Sequence, residues 1–201
     1  MGTENDGRIA LDLTGSLWEQ VYSVSPLVLV GSLEASGELN LAPKHMAMPL
    51  GWGPYFGFVC RSEHTTYRNI ERRREFTVTY PLPDEVVLTS LAASPREGDD
   101  TKPALAAHST LEPVAVKTPL FANGYLFLEC RLHEIIDGFG PHGLITGQVV
   151  AARARRDALR LQGADSQDTL AESPLLVFLS PDRFAVIRES RSFPFPKGFQ
   201  R

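Results

Sequence analysis

Apolar stretches separated by short polar turns dominate the chain, and most of these stretches are too short for long helices. Residues 26–33 (PLVLVGSL) and 54–60 (PYFGFVC) are nearly continuous apolar runs, a pattern typical of buried strands. Residues 75–81 (EFTVTYP) alternate apolar and polar positions, which predicts a strand with one buried face. The first half of the chain therefore favours a β-sheet.

The second half continues the same pattern with longer strands. Residues 124–137 and 143–155 flank the turn GFGPH, and this arrangement predicts a hairpin. A last strand pair is predicted at 175–180 and 184–189, after a loop-like region with scattered prolines at 94–123. A polar interlude, 156–173, separates the two pairs. Strands joined by short turns indicate a mainly β fold, an antiparallel barrel with a few short helices.

Three segments carry the signals of a short helix. Residues 16–24 (SLWEQVYSV) place apolar side chains at helical intervals behind a serine cap. Residues 85–94 (EVVLTSLAAS) place Val87 and Leu91 at helical spacing before a terminating Ser-Pro. A third helix is expected shortly after Cys60, where the apolar run ends.

Composition and charge limit the class of protein and the kind of partner. With 201 residues, 43% of them hydrophobic and 22% charged, the chain has the balance of one globular domain. We expect a single domain over residues 1–201, with a flexible N-terminal segment at 1–15. The net charge of −4 disfavours nucleic-acid and anionic-membrane partners, so any bound anion must be held by a local cluster.

No part of the sequence has the pattern of an export signal or a membrane anchor. The first fifteen residues carry acids and no apolar core, and no uncharged apolar run approaches the roughly 18 residues of a membrane span. Cys60 and Cys130 lie inside apolar runs without metal-binding or redox spacing, which favours buried thiols in a reducing compartment. These features predict a cytoplasmic protein.

The common catalytic and nucleotide-binding signatures are missing. No G-x-G-x-x-G opens a helix after a strand, and the P-loop spacing does not occur. The sequence also contains no H-E-x-x-H, no Cys/His cluster and no G-x-S-x-G. Neither a Rossmann site, a metal site nor a serine esterase is therefore encoded in a recognisable form.

Residues 60–76 (CRSEHTTYRNIERRREF) place cations and hydroxyls where a helix begins, near Thr65 or Thr66. The free N–H groups and the dipole of a helix start attract a phosphate. Ser62, Thr65 and Thr66 would add hydroxyl donors. Arg61 and His64 would add cationic or polar side chains long enough to contact the phosphate. The alternative is that Thr65 only caps the helix and Arg61 lies in water.

A second window makes a resemblance specific. Asn40-Leu41-Ala42-Pro43 (N-x-A-P) and the segment His64 to Ile70 (H-T-T-x-x-N-I), followed by E-F-x-V, resemble the flavin reductase-like family of FMN-binding split β-barrels, the flavoredoxin group. The likeness is clearest from Ser25 to Tyr80 and continues more loosely through LECRLHEII and GLITGQVVA. It implies an antiparallel split β-barrel, a homodimer and one FMN per subunit.

The resemblance also implies a set of flavin-binding positions. The ring would lie along Asn40, Leu41, Ala42, Pro43, Lys44 and His45, and the phosphate would contact Arg61, Ser62, His64, Thr65 and Thr66. Asn69 and Lys102 occupy positions where family members approach the flavin, although a structural amide and a solvated lysine are the alternatives. His45 and His142 are the candidate catalytic residues; His45 would tune the reduced flavin near its ordinary pKa of about 6.5.

The chain departs from the family pattern at two places. His45 replaces a small hydroxyl residue, Lys44 replaces an aromatic one, and His64-Thr65-Thr66 replaces Lys-Asp-Thr at the phosphate loop. The resemblance still implies an oxidoreductase in which FMN takes a hydride from NAD(P)H and passes electrons to free flavin or a small acceptor. An FMN-binding electron-transfer or flavin-storage protein without NAD(P)H turnover is the alternative function, and a barrel that has lost its flavin and serves as a binding module is a third.

Overall fold

The fold is known from a computed structural model that describes residues 7–98, 101–160 and 166–199, so the predicted N-terminal segment 1–15 lies partly outside it. The strands are β1 (Ser23–Pro26), β2 (Val28–Leu33), β3 (Leu39–Lys44), β4 (Ala47–Pro49), β5 (Tyr55–Arg61), β6 (Glu75–Pro81), β7 (Thr110–Leu111), β8 (Leu120–Phe121), β9 (Gly124–Phe139), β10 (His142–Ala154), β11 (Leu175–Ser180) and β12 (Arg183–Ile187). The α-helices are α1 (Thr65–Arg73), α2 (Val86–Leu91) and α3 (Ser166–Glu172), and short 3₁₀ helices span Leu17–Glu19, Pro83–Glu85, Pro103–Ala107 and Arg156–Ala158.

One seven-stranded antiparallel sheet forms the body of the molecule, in the order β3-β2-β6-β9-β10-β5-β4. The predicted hairpin is its centre, with β9 and β10 paired along most of their length. Residues 138–143 (GFGPHG) have the glycine spacing of a dinucleotide fingerprint, but they join two strands and open no helix. The prediction of a mainly antiparallel β fold is confirmed.

One face of this sheet encloses the main core. Its buried side chains come from six of the seven strands, all except β3, and from α1, so the sheet curls around them. Members of this core include Phe56, Phe58, Ile70, Phe76 and Ile145. Cys60 and Cys130 belong to the same cluster as unpaired, buried thiols, as predicted. Helix α1 is thereby fixed against the open side of the curled sheet.

A smaller apolar cluster on the opposite face fixes α2. It consists of Leu29, Leu41, Ala92 and Phe121, with Leu88 packed against it. The predicted helix is confirmed, but the Val87–Leu91 pair that indicated it does not face the core, since Val87 is 65% exposed and Leu91 is 41% exposed. Leu88 and Ala92, one helical turn apart, contact the sheet instead. The end of α2 therefore lies beside β3.

Strand β6 is buried on both faces, not on one as its alternation predicts. Thr77 and Thr79 are each only 1% exposed, because a following loop covers them. The Thr77 hydroxyl donates to the Pro119 carbonyl at 2.8 Å, and the Thr79 hydroxyl donates to the Phe121 carbonyl at 3.1 Å. A threonine can be buried in a core when its hydroxyl has a backbone acceptor. The alternation of apolar and polar residues along β6 therefore predicts too little burial.

Helix predictions near the two ends of the chain needed correction. The segment 16–24 forms only the 3₁₀ turn Leu17–Glu19, because the next residues pair as β1 with β11 in a three-stranded sheet with β12. Within the polar interlude, α3 was not predicted. No helix in the described ranges has the length and apolarity needed to cross a membrane.

Candidate functional site

A polar cleft of about 330 Å³ opens where β3, the start of α1 and the loop after α2 meet. Many of the predicted flavin-binding residues lie in its wall, namely Asn40, Ala42, Pro43, Lys44, His64, Thr65, Thr66 and Lys102. They come from segments far apart in the sequence. The fold therefore brings together, from three separate segments, the two motifs and the lysine that the resemblance implied for one flavin site.

Strand β3 supplies one wall, and it was not predicted as a strand. Pro43 argues against an internal strand, since proline cannot donate to a ladder. Strand β3 pairs only with β2 and is an edge strand of the sheet, where proline is tolerated. The Leu41 carbonyl points away from β2, because it accepts a hydrogen bond from Lys102 at 3.1 Å. The outer edge of β3 thus presents backbone groups to the cleft.

Helix α1 supplies the second wall with its N-terminus. His64 is the residue that precedes the helix, and its side chain makes no capping hydrogen bond. The alternative in which Thr65 caps the helix is therefore wrong. The Arg68 N–H donates to the His64 carbonyl at 3.3 Å, and the Tyr67 N–H donates to the Cys60 sulfur. Thr65 and Thr66 come before these two donors in the sequence. Their N–H groups lie beside the cleft, at the positive end of the helix dipole.

A buried hydrogen-bond network joins the two walls. The Asn40 amide donates to the Thr66 hydroxyl at 3.1 Å and accepts from Arg96 at 3.2 Å. Beneath it, the Asn69 amide donates to the Ser32 hydroxyl at 3.2 Å. Asn40, Thr66 and Asn69 are almost fully buried. Asn69 thus supports the network from below, while Asn40 and Thr66 reach the cleft itself.

Three cations make the cleft locally positive although the chain is acidic overall. Lys44, Arg96 and Lys102 all line it. An acid, Glu63, also lies in its wall but is paired with an arginine at the rim. Lys102 is anchored by the carbonyls of Leu41 and Ala92. Burial, reinforced by the charges of Arg96 and Lys44, lowers the pKa of Lys102 to about 8. A bound anion would relieve the repulsion among these groups, so the cleft favours an anionic ligand.

Other predicted residues lie around the cleft rather than in its wall. Arg61 is exposed and forms a salt bridge with Glu63 at 2.7 Å. Ser62 is exposed, and its backbone N–H donates to the Pro141 carbonyl at 3.2 Å. His142 lies opposite Arg61 across the β5–β10 pair, near His64. These residues form the outer rim on the side of the β9–β10 turn.

The side chains of Leu41 and His45 lie outside the cleft wall. The Leu41 side chain is buried in the cluster beneath α2, so only its backbone faces the cleft. The His45 ring stacks on Phe178, with the ring centroids 4.4 Å apart. Phe178 belongs to an adjoining groove, which places His45 beside the second half of the site.

An apolar groove of about 500 Å³ continues from the cleft past Pro43 and Ala93, which border both spaces. Its principal apolar lining residues are Leu27, Val87, Leu91, Phe178 and Phe184. The side chains of Val87 and Leu91, which are exposed rather than packed in the core, line this groove. The complete site is amphipathic, with a cationic end at α1 and an apolar end between α2 and β11–β12.

Sequence reasoning missed Arg96 and the wall formed by Ala92, Ala93 and Ser94. Arg96 lies in the acidic segment SPREGDD, where an arginine has the pattern of a solvated loop residue. Its place in the cleft wall depends on the packing of α2 against β3, which no local pattern encodes. The proline just before it, which ends the α2 region, was the only signal that this loop turns back over the sheet.

Comparisons with known proteins agree with this architecture. Residues 22–178 match the sequence model of the family described as flavin reductase like domain. The structure is similar to flavoredoxin of Desulfovibrio vulgaris (Miyazaki F), with 18% identity and a TM-score of 0.76, over 95% of this chain and 100% of that one. It is similar to 2-nitrobenzoate 2-nitroreductase of Pseudomonas fluorescens, with 18% identity and a TM-score of 0.78, over 100% of this chain and 99% of that one.

A further similar structure is an FMN-binding protein from Thermus thermophilus with bound 1-cyclohex-2-enone. Its identity is 18% and its TM-score is 0.72, and the match covers 96% of this chain and 99% of that one. Likenesses at this level of identity establish the fold. The predicted antiparallel split β-barrel is confirmed.

The pKa values of His45 and His64 give a prediction for pH dependence. Burial lowers the pKa of both imidazoles, and the positive charge of Lys44 lowers them further. The sequence-based expectation that His45 titrates near 6.5 is therefore corrected downward. The unfolded chain binds these protons at higher pH than the folded chain, so stability should fall as pH drops below about 6.5.

Nuclear magnetic resonance of the His45 ring protons measures this directly. We expect a titration midpoint below that of an ordinary histidine, and a shift back toward the ordinary value when Lys44→Met removes the neighbouring charge. A wild-type midpoint at or above about 6.5 would contradict the stated environment of His45.

Proposed function

The chain belongs to the flavin reductase-like family, and on this premise we propose that it is an FMN-dependent oxidoreductase. It takes a hydride from NADH or NADPH and passes electrons to free flavin or another small acceptor. The observation that carries this proposal is the amphipathic site, in which a cationic cleft at the start of α1 adjoins an apolar groove.

The residues of the site fit FMN at both of its ends. The phosphate suits the N–H groups and hydroxyls of Thr65 and Thr66, together with the charges of Arg96 and Lys102. The flavin ring is planar and largely apolar, which suits Pro43 and the groove beyond it. Inorganic phosphate has no apolar part that the groove could bind. The combination therefore supports a phosphorylated aromatic cofactor.

The outer edge of β3 suits the polar rim of the flavin ring. Residues of an antiparallel strand point their N–H and C=O groups alternately to the two sides. Since the Leu41 carbonyl points outward, the Pro43 carbonyl does so too. FMN, when bound, supplies the hydride and electron chemistry, and the protein orients it and excludes water. The site accordingly needs no general acid–base pair of its own.

The similar structures add support for the cofactor and define the alternative function. One is named as an FMN-binding protein and another as a nitroreductase. A flavoredoxin is also among them, which favours an FMN-binding electron carrier without NAD(P)H turnover as the second candidate. The two candidates share the site and differ in whether a reduced nicotinamide nucleotide reacts with it.

Anaerobic titration with NADH and NADPH distinguishes these two functions. Protein reconstituted with FMN is expected to be yellow and to lose its yellow absorption band when one of the nucleotides is added. Dithionite serves as the control that the bound flavin is reducible. A yellow protein that dithionite bleaches and neither nucleotide bleaches would contradict the reductase and favour the carrier.

We also propose that the chain works as a homodimer. Met48 and Trp52 are exposed beside β4, the other edge strand of the main sheet. Trp18, Tyr22 and Val24 are exposed around β1, which contacts β4. Together they form an apolar surface of the kind that a second subunit covers. Light scattering is expected to give twice the chain mass of 22.2 kDa, and a monomer at micromolar concentration would contradict the dimer.

Substitution of Thr65 tests the phosphate position. Thr65→Val keeps the shape of the side chain and removes its hydroxyl. A hydrogen bond to a charged group contributes about 1.5–3 kcal/mol, so FMN affinity should fall by about one to two orders of magnitude. Riboflavin lacks the phosphate and should bind wild type and variant equally. Titration of both ligands, followed by flavin fluorescence, measures the difference.

Thr66→Val is the matched comparison. Its hydroxyl accepts from the buried Asn40 amide, so its loss should also lower the melting temperature of the flavin-free protein. Thr65→Val should leave that temperature nearly unchanged. Equal losses of FMN and riboflavin affinity in Thr65→Val would remove Thr65 from the phosphate site.

A further inference from the structure

Arg96 and Lys102 stand between two cavities. On one side lies the cleft at the start of α1, and on the other lies a second cavity of about 240 Å³. Both side chains border both spaces. The second cavity is also lined by Glu34 and Glu38, so its far wall carries the opposite charge. The two cations therefore form a partition with a positive space on one side and an acidic one on the other.

The partition is held firmly. The Arg96 guanidinium donates to the Glu34 carboxylate and, at 3.2 Å, to the Asn40 amide oxygen. The side chains of Arg96 and Glu34 are only 18% and 16% exposed. Breaking such a pair would leave a largely buried charge without its partner, which is strongly unfavourable. The carbonyls of Leu41 and Ala92 fix Lys102 in the same way.

This partition adjoins the phosphate end of the proposed FMN site. Asn40 accepts from Arg96 and donates to Thr66, so a single side chain separates Arg96 from the start of α1. A monophosphate seated at Thr65 and Thr66 would end against Arg96. A flavin dinucleotide carries a second phosphate and a nucleoside beyond the first. That extension would meet the buried Arg96–Glu34 pair and, past it, the Glu38 carboxylate.

We propose that the Arg96–Glu34 pair is an end wall that makes this site selective for the flavin mononucleotide over the dinucleotide. The inference rests on the proposed FMN site and adds the residues that limit the length of the ligand it accepts. Arg96 attracts the terminal phosphate of FMN, while the anchored pair blocks a longer ligand and Glu34 repels its additional charge. Specificity then comes from a repulsive element as well as an attractive one.

Equilibrium titrations of the flavin-free protein with FMN, FAD and riboflavin test the wall. Wild type is expected to bind FMN at least about tenfold more tightly than FAD. The double variant Arg96→Ala/Glu34→Ala opens the partition without changing net charge. Its ratio of FAD to FMN dissociation constants should fall by about tenfold, while riboflavin affinity changes little. Affinity for FMN itself should also drop, because the phosphate loses a cation.

The Arg155–Asp157 pair provides a matched control. Its charged atoms are 2.6 Å apart, and both side chains are more exposed, at 46% and 37%, than those of the Arg96–Glu34 pair. Arg155→Ala/Asp157→Ala removes the same charges and should leave the FAD-to-FMN ratio at its wild-type value. Glu38→Gln removes a carboxylate on the far side of the partition and leaves the Arg96–Glu34 pair intact. It should therefore narrow the ratio by about threefold even if the double variant fails to fold.

The outcomes separate this inference from the proposed function. Wild type that binds FAD as tightly as FMN would overturn the wall and leave the flavin site intact. A folded double variant whose ratio of FAD to FMN dissociation constants equals that of wild type would also overturn the wall and leave the flavin site intact. Wild type that binds neither FMN nor FAD would overturn the flavin site and the wall together.

Discussion

The buried amide of Asn40 is the interaction on which the rest of the site depends. It joins three elements, since it lies on β3, donates to Thr66 of α1 and accepts from Arg96 after α2. A buried amide must satisfy its donors and acceptors, and each bond it makes fixes the position of a neighbour. The shape of the cleft follows from that requirement.

The electrostatics of the site depend on the same arrangement. The chain carries a net charge of −4, yet the fold gathers Lys44, Arg96 and Lys102 around one small cleft. Their mutual repulsion is partly offset by Glu34 and by backbone carbonyls, and it contributes to the lowered pKa of Lys102. Such a cleft is stabilised by an anion, which connects the packing of β3, α1 and α2 to cofactor binding.

The sequence predicted the elements whose signals are local. The start of α1 and the β9–β10 hairpin have clear boundary residues, and the resemblance to a family brought Asn40 and Thr66 into one site. Strand β3 was missed because Pro43 is compatible with a strand only at a sheet edge. Arg96 and the true face of α2 depend on which side of the helix packs against the sheet. That information is tertiary, because Val87–Leu91 and Leu88–Ala92 are both apolar pairs at helical spacing and the sequence does not rank them.

The central claim is that the start of α1 holds the phosphate of FMN. Amide resonances of Thr65 and Thr66, recorded with saturating FMN and with saturating riboflavin, test it most directly. Hydrogen bonding to a phosphate should move both amide protons strongly downfield with FMN, and riboflavin should leave them near their positions in the flavin-free protein. Equal shifts with the two ligands, or none with FMN, would contradict the claim.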